Sequence, residues 1–249
     1  MGTLIAPIGL LAIGLVGAVL VGFLADVLPT AGLRGRVPCH NCGQVLEWDR
    51  YLLFRRCRHC GATRAKRAYV LLAAIPAVVL FMGTFPPHEL ELSLAIVLAL
   101  YLALIVAIDI QHRVILTVTS VAGALLGLGI GAHLHGLSST LLGGAVGYAA
   151  MLVLYLLGEV FVRQVSRRRG EPVTEVALGF GDVTLAGIAG LFLGWPGIAF
   201  GLILTVFAGG VFSLLLVLVM LARHRYRAYS AIAYGPFLAV SIAVLLLRP

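Results

Sequence analysis

Apolar segments of about 20 residues recur along nearly the whole chain, separated by short polar connections, and each is long enough to cross about 30 Å of hydrocarbon. Inside lipid a single segment satisfies its own backbone N–H and C=O groups only as a helix, so this pattern restricts the chain to helices. Composition agrees. Of 249 residues 61% are hydrophobic and 11% charged, with a mean hydropathy of +1.08, far from the roughly half-apolar, quarter-charged makeup of soluble domains. The expected fold class is an all-α polytopic membrane protein of about eight transmembrane helices.

The eight spans fall at 3–25, 68–84, 90–109, 114–133, 138–162, 178–193, 197–221 and 231–247. Threading them alternately places the connections 26–67, 110–113, 163–177 and 222–230 on one side, and these hold 17 of the 18 Lys and Arg residues. Insertion rules make that side the cytoplasm, so a multi-pass membrane protein with both termini outside is expected. The net charge of +8 is then a matter of topology, and no nucleic-acid partner is expected. Met1 to Ala25 has no basic residues ahead of its apolar stretch and no clear cleavage site, and reads as a retained helix rather than a signal peptide. The Arg167-Arg168-Arg169 run reads as a topology anchor beside anionic headgroups, and clusters such as Gly143-Gly144 and Gly209-Gly210, among 30 glycines, read as close helix packing.

Only the 26–67 connection is long enough to fold by itself, and it carries all four cysteines: Cys39-His40-Asn41-Cys42 and, after 14 residues, Cys57-Arg58-His59-Cys60. Paired CxxC turns bring four thiolates to one ion, and Gly43 and Gly61 follow the second cysteine of each pair. In a reducing cytoplasm disulfides are disfavoured, so a structural zinc on Cys39, Cys42, Cys57 and Cys60 is expected, with redox pairs or an iron centre as the alternatives. His40 and His59 read as neighbours rather than ligands. The domains are then 1–25, a first transmembrane helix; 26–67, a small cytoplasmic zinc-ribbon insertion; and 68–249, a seven-helix membrane domain.

Carboxylates within or beside the spans are few, and an ionisable group near hydrocarbon is costly unless it serves a polar cavity or partner. Asp109, Glu159 and Asp182 stand out. Glu159 has Arg163 four positions on, the spacing of a helix-surface ion pair. Asp109 closes the third span and Asp182 opens the sixth, 73 positions later, so threading puts both near the cytoplasmic boundary. Taken singly, each also fits a helix cap or an ion-pair partner. Taken together, two close carboxylates share a proton and are able to activate water while protonating a departing amide, the chemistry of aspartic proteases. Gly179 and Gly181 flank Phe180 just before Asp182 and would let a substrate strand approach.

These residues resemble the prepilin peptidases, bacterial type IV leader peptidases and N-methyltransferases of the GxGD membrane aspartyl protease type. The resemblance rests on Gly179-Phe180-Gly181-Asp182 with Leu193-Gly194-Trp195, on Ile108-Asp109 with Gln111-His112-Arg113, on Tyr234-Gly235-Pro236-Phe237, and on the paired CxxC after the first span. It covers nearly the whole chain in the family's order. It implies a membrane aspartyl endopeptidase, with Asp109 and Asp182 as its catalytic pair and Gly179, Gly181, Gly235 and Pro236 shaping the site. The implied reaction removes a short basic leader from type IV prepilins or type II secretion pseudopilins at the cytoplasmic membrane face. Methylation of the new N-terminus from S-adenosylmethionine is implied by the cysteine domain.

The chain departs from the family at Leu116-Thr117, where a proline and an Asp or Asn are usual, and at Thr184, where lysine is common. The interval between its CxxC pairs is also shorter, and no acidic residue follows the ribbon in Ala68-Tyr69-Val70-Leu71. The departures leave the aspartates intact and bear on methyl transfer. For the basic leader, Glu47, Asp49, Glu171 and Glu175 are the available acidic contacts. Two other functions fit parts of the pattern: a degenerate prepilin-binding scaffold, and an ion-coupled transporter with aspartates as carriers.

Overall fold

The computed structural model describes residues 2–31, 37, 39, 41–52, 54–169, 179–223 and 234–248, without the side chains of 2–6, 30–31, 48–49, 165–166 and 168–169. Glu171 and Glu175, His40 and the side chain of Asp49 therefore lie outside the described residues. The helices are α1 (Gly2–Ala31), α2 (Trp48–Leu52), α3 (Lys66–Thr84), α4 (Leu92–His112), α5 (Thr117–His135), α6 (Leu137–Arg169), α7 (Phe180–Leu193), α8 (Gly197–Ala222) and α9 (Gly235–Leu246). The protein is an all-helical, multi-pass membrane protein.

Six of these helices are long and apolar enough to cross a membrane: α1, α3, α4, α5, α6 and α8. Two expected spans, 178–193 and 231–247, correspond to shorter helices. α7 has 14 residues and α9 has 12, about 21 and 18 Å at 1.5 Å per residue, less than the hydrocarbon thickness. In the other direction α1 runs on to Ala31 through Pro29, and α6 has 33 residues. Hydropathy fixes where a helix is greasy, not where its hydrogen-bond ladder stops.

The chain divides into two units, Met1–His112 with Leu247–Pro249, and Arg113–Leu246. In the first unit α1, α3 and α4 pack on one another. α1 and α3 run antiparallel: a Cβ on Gly14 would sit 2.6 Å from the Cα of Pro76, and one on Gly83 would sit 2.2 Å from Leu10. Ala18, Val21, Ile75, Val79 and Ile96 form their apolar core. At the C-terminal end of α1 a second cluster joins Val27 to Val37 and Tyr51, with Phe23 and Leu46 against it, so the segment after α1 folds back onto that helix.

In the second unit α7 is the central element, in contact with α5, α6, α8 and α9. Nine of its residues, from Val183 to Leu193, are buried. Close approach of α6 is possible because glycines face each other: a Cβ on Gly190 would lie 2.1 Å from the carbonyl oxygen of Gly143, and one on Gly143 would lie 2.5 Å from that of Gly190. Gly147 is pressed equally hard against the Ala186 carbonyl. Backbones this close gain dispersion contact where lipid supplies no hydrophobic drive. Ser139 ties the turn after α7 to the start of α6, its Oγ donating to the Trp195 carbonyl at 2.8 Å. Between α8 and α9, buried Thr205 donates to Ser241 at 3.0 Å.

Candidate functional sites

The two CxxC turns fold alike. In the first, the Gly43 N–H donates to the Cys39 carbonyl at 2.9 Å and the Cys39 N–H to the Gln44 carbonyl at 2.8 Å. In the second, Gly61 donates to Cys57 and Cys57 to Ala62, each at 3.0 Å. Gly43 and Gly61 sit at φ 71° and 68°, the left-handed region that a side chain disfavours, and this turn lets both cysteines of each pair face inward. The four sulfurs lie within 4.8 Å of one another.

Cys39 faces Cys60 at 3.7 Å and Cys42 faces Cys57 at 3.8 Å. Four ligands about 2.3 Å from one tetrahedral ion stand about 3.8 Å apart, so the donor set has the size and softness of a closed thiolate metal centre. All four cysteines are free thiols.

Electrostatics at the sulfurs point the same way. The Ala62 N–H, aimed at Cys60, brings that thiol down to about 6, and the N–H groups of Cys60 and His59 lower Cys57. At Cys42 the Gln44 N–H also lowers the thiol, but burial and hydrogen bonds with the neighbouring cysteines outweigh it and push the group up to about 12. Four thiols this close do not all ionise by themselves; a cation releases the remaining protons.

Beside the cysteines lies a polar assembly that the hydropathy reading misses. Asp26, on the last turns of α1, accepts hydrogen bonds from Tyr51 at 3.2 Å, from Arg64 at 3.1 Å and from Arg67. Arg64 also donates to the Tyr51 carbonyl at 3.1 Å, and its guanidinium lies 3.7 Å from the centre of the Tyr51 ring. Burial raises the Tyr51 phenol and the charge of Arg64 partly offsets this, so Tyr51 meets Asp26 as a neutral donor. Ending the first span at 25 left Asp26 to a loop; the available signal was that 23, 26 and 27 share one helical face.

Asp109 is 5% exposed on α4, three residues before His112. The Nε2 of His112 is buried without a hydrogen-bond partner among the described residues, and the charge of Arg67 reaches the ring.

Asp182, in the second unit, is half-buried in the first turn of α7. Its N–H donates to the Gly179 carbonyl at 3.0 Å, and Gly179, the N-cap, has no side chain to cap the helix. Among the described residues a Cβ on Gly179 would meet Asp182 Oδ2 at 3.5 Å, ordinary contact, whereas one on Gly181 would press on Ile115 at 3.0 Å. Gly181 thus seats the segment that precedes α5. α9 packs on α7, with Gly235 and Pro236 opening α9, and the charge of Asp182 reaches Tyr234 just before them.

Thr184 donates within its own helix to the Phe180 carbonyl at 3.4 Å. Glu159 accepts from Arg163 at 2.7 Å and from Tyr155 at 3.3 Å, the ion pair its spacing predicts. Glu47 pairs with Arg50 and Arg58, each at 3.2 Å.

A multi-pass helical membrane protein with a four-thiol centre beside its first helix and carboxylates at two helix ends is a narrow class. Residues 96–214, the stretch that holds Asp109 and Asp182, match the model of the Type IV leader peptidase family. The chain is 30% identical over 198 residues to the prepilin leader peptidase/N-methyltransferase of Myxococcus xanthus (strain DK1622), covering 75% of this chain and 55% of that protein. It is 29% identical over 202 residues to the protein of the same name from Aeromonas salmonicida (strain A449), covering 79% of this chain and 62% of the relative. The match thus spans between about half and two thirds of the relatives' length. No solved structure matches.

Proposed function

We propose that this chain is an aspartic-type membrane endopeptidase that removes the basic leader from type IV prepilins or type II secretion pseudopilins, with Asp109 and Asp182 as its catalytic pair. The observation that carries the reading is that the family match at 96–214 contains both carboxylates, one closing α4 and one opening α7 beside Gly179. In this reading one carboxylate is ionised and takes a proton from water, and the resulting hydroxide adds to the scissile carbonyl. The other, protonated, gives its proton to the leaving amine. Gly179 and Gly181 admit the extended substrate backbone, and Gly235 and Pro236 shape the opposite wall. The distribution of basic residues supports a cytoplasmic site and ribbon, which leaves 26–67 as a zinc-ribbon domain and 68–249 as the protease domain.

Zinc suits the four-thiol centre. With Cys39, Cys42, Cys57 and Cys60 filling every coordination position, it would supply cross-linking and no reactive water. Methyl transfer is supported by the relatives' names and by the cysteine cluster. The cleft beside the cysteines, at ≈ 30 Å³, is too small to enclose the whole methyl donor.

The test is cleavage of a prepilin, with a basic leader ending in glycine, by the purified protein in lipid. Asp109→Asn and Asp182→Asn should each lower kcat/KM by at least ~10³-fold with unchanged expression and helical content. Full cleavage by either variant would remove the pair. A labelled methyl donor supplied in the same assay separates the activities, since label on the cleaved product assigns methylation and its absence confines the chain to proteolysis.

A further inference from the structure

The cleft at the ends of α1 and α3 has an excess of positive charge that the peptidase reading does not use. Apart from the thiols of Cys39 and Cys57, which also line it, its ionisable lining consists of Arg55, Arg64 and Arg67 against one carboxylate, Asp26. That carboxylate is already taken up by Tyr51, Arg64 and Arg67. Arg64 is the anchored member, its side chain only 8% exposed and held by Asp26 and the Tyr51 carbonyl. Arg67 is not fully satisfied: its Nη1 is buried without a hydrogen-bond partner among the described residues. A buried donor left unmade is destabilising, and a bound oxyanion would satisfy it. Arg55 is exposed at the same cleft.

The start of α3 adds to this field. Its N-cap is Ala65, which has no capping side chain, and its first turn holds no acidic residue; Ala68 donates its N–H to the Ala65 carbonyl at 2.9 Å, and the positive end of the dipole is left without a capping acid among the described residues. Ala65 and Ala68 line the cleft. α1 and α3 are both long and apolar enough to cross a membrane, one ending and one beginning here, a position that suits headgroup depth. Its ≈ 30 Å³ holds the oxygens of one tetrahedral oxyanion and little more. Guanidinium forks favour that geometry.

We propose that this cleft binds a phosphate-bearing anion, held by Arg55, Arg67 and the start of α3 with Arg64 behind them. The group comes from an anionic lipid headgroup or from free phosphate, and the chemistry is shared. The site is independent of the peptidase assignment, so failure of either leaves the other standing.

The experiment is thermal unfolding of the full chain in detergent with added phosphatidylglycerol, phosphatidylcholine, inorganic phosphate, or chloride at matched ionic strength. Phosphatidylglycerol is expected to raise Tm by about 5 °C over phosphatidylcholine near saturation. A rise with phosphatidylglycerol alone assigns a lipid headgroup, and a comparable rise with phosphate over chloride assigns the free oxyanion. Arg67→Gln and Arg55→Gln should each remove most of the rise. Arg55 makes no side-chain bond to the helices among the described residues, so Arg55→Gln decides the matter where Arg67→Gln fails to fold. Equal Tm in all four additions, or an undiminished rise in Arg55→Gln, would overturn the proposal.

Discussion

The two units share close glycine packing but add different devices to it. At the end of α1 the first unit uses long polar side chains, with Asp26 gathering Tyr51, Arg64 and Arg67 beside four thiols. The second unit uses the removal of side chains, with Gly143 and Gly147 of α6 laid against the backbone of α7. The first device depends on solvent and charge; the second depends only on shape. The first should therefore respond to chemistry and the second to volume.

The largest expected effect tests the first half of that contrast. Cys57→Ser should take bound zinc from about one per chain to nearly none, since a structural thiolate site is worth about 10–16 kcal/mol in small zinc folds. Limited proteolysis should then open the segment between α1 and α3 and spare α5 to α9. Cleavage spread into α7 would mean that the units do not respond separately. Gly190→Val comes next: with a carbonyl 2.1 Å from the new Cβ, α6 and α7 must part, at a cost of about 3 kcal/mol or more. The variant should lose its cooperative unfolding transition while keeping its zinc.

Arg64→Met should destabilise by about 3–5 kcal/mol, because it strips Asp26 of one buried partner and leaves the charge behind; denaturant midpoints at the first unit would show it. A loss below about 1 kcal/mol would make the assembly ornamental. The smallest effect is expected at Glu159→Gln, about 0.3–0.5 kcal/mol, because its pair with Arg163 is largely exposed.

What the sequence made legible follows from range. CxxC spacing and hydropathy are local, so the four cysteines and the helical class were readable directly. Asp109 and Asp182 were readable as candidates because an acid beside an apolar run is conspicuous. Asp26 was equally close to such a run, but its partners Arg64 and Arg67 lie 38 and 41 positions away, and nothing local announces them. The shortness of α7 and α9 was hidden for the converse reason, since apolar residues continue past the points where those helices stop. Gly143-Gly144 was readable as tight packing, but not that Gly190 was its counterpart.

The assembly at Asp26 also closes a circle. Asp26 lies near the end of one membrane helix and Arg64 and Arg67 beside the start of the next, and both guanidinium groups meet its carboxylate. Whatever lies between has its two ends pinned together by groups belonging to the membrane helices. The entropy of closing such a loop grows only with the logarithm of its length, each doubling adding about 0.6 kcal/mol. Residues inserted or deleted between the two cysteine pairs would then alter the cap without disturbing the α1–α3 hairpin, so the cap is free to drift in length over evolution while the membrane helices beneath it stay in register.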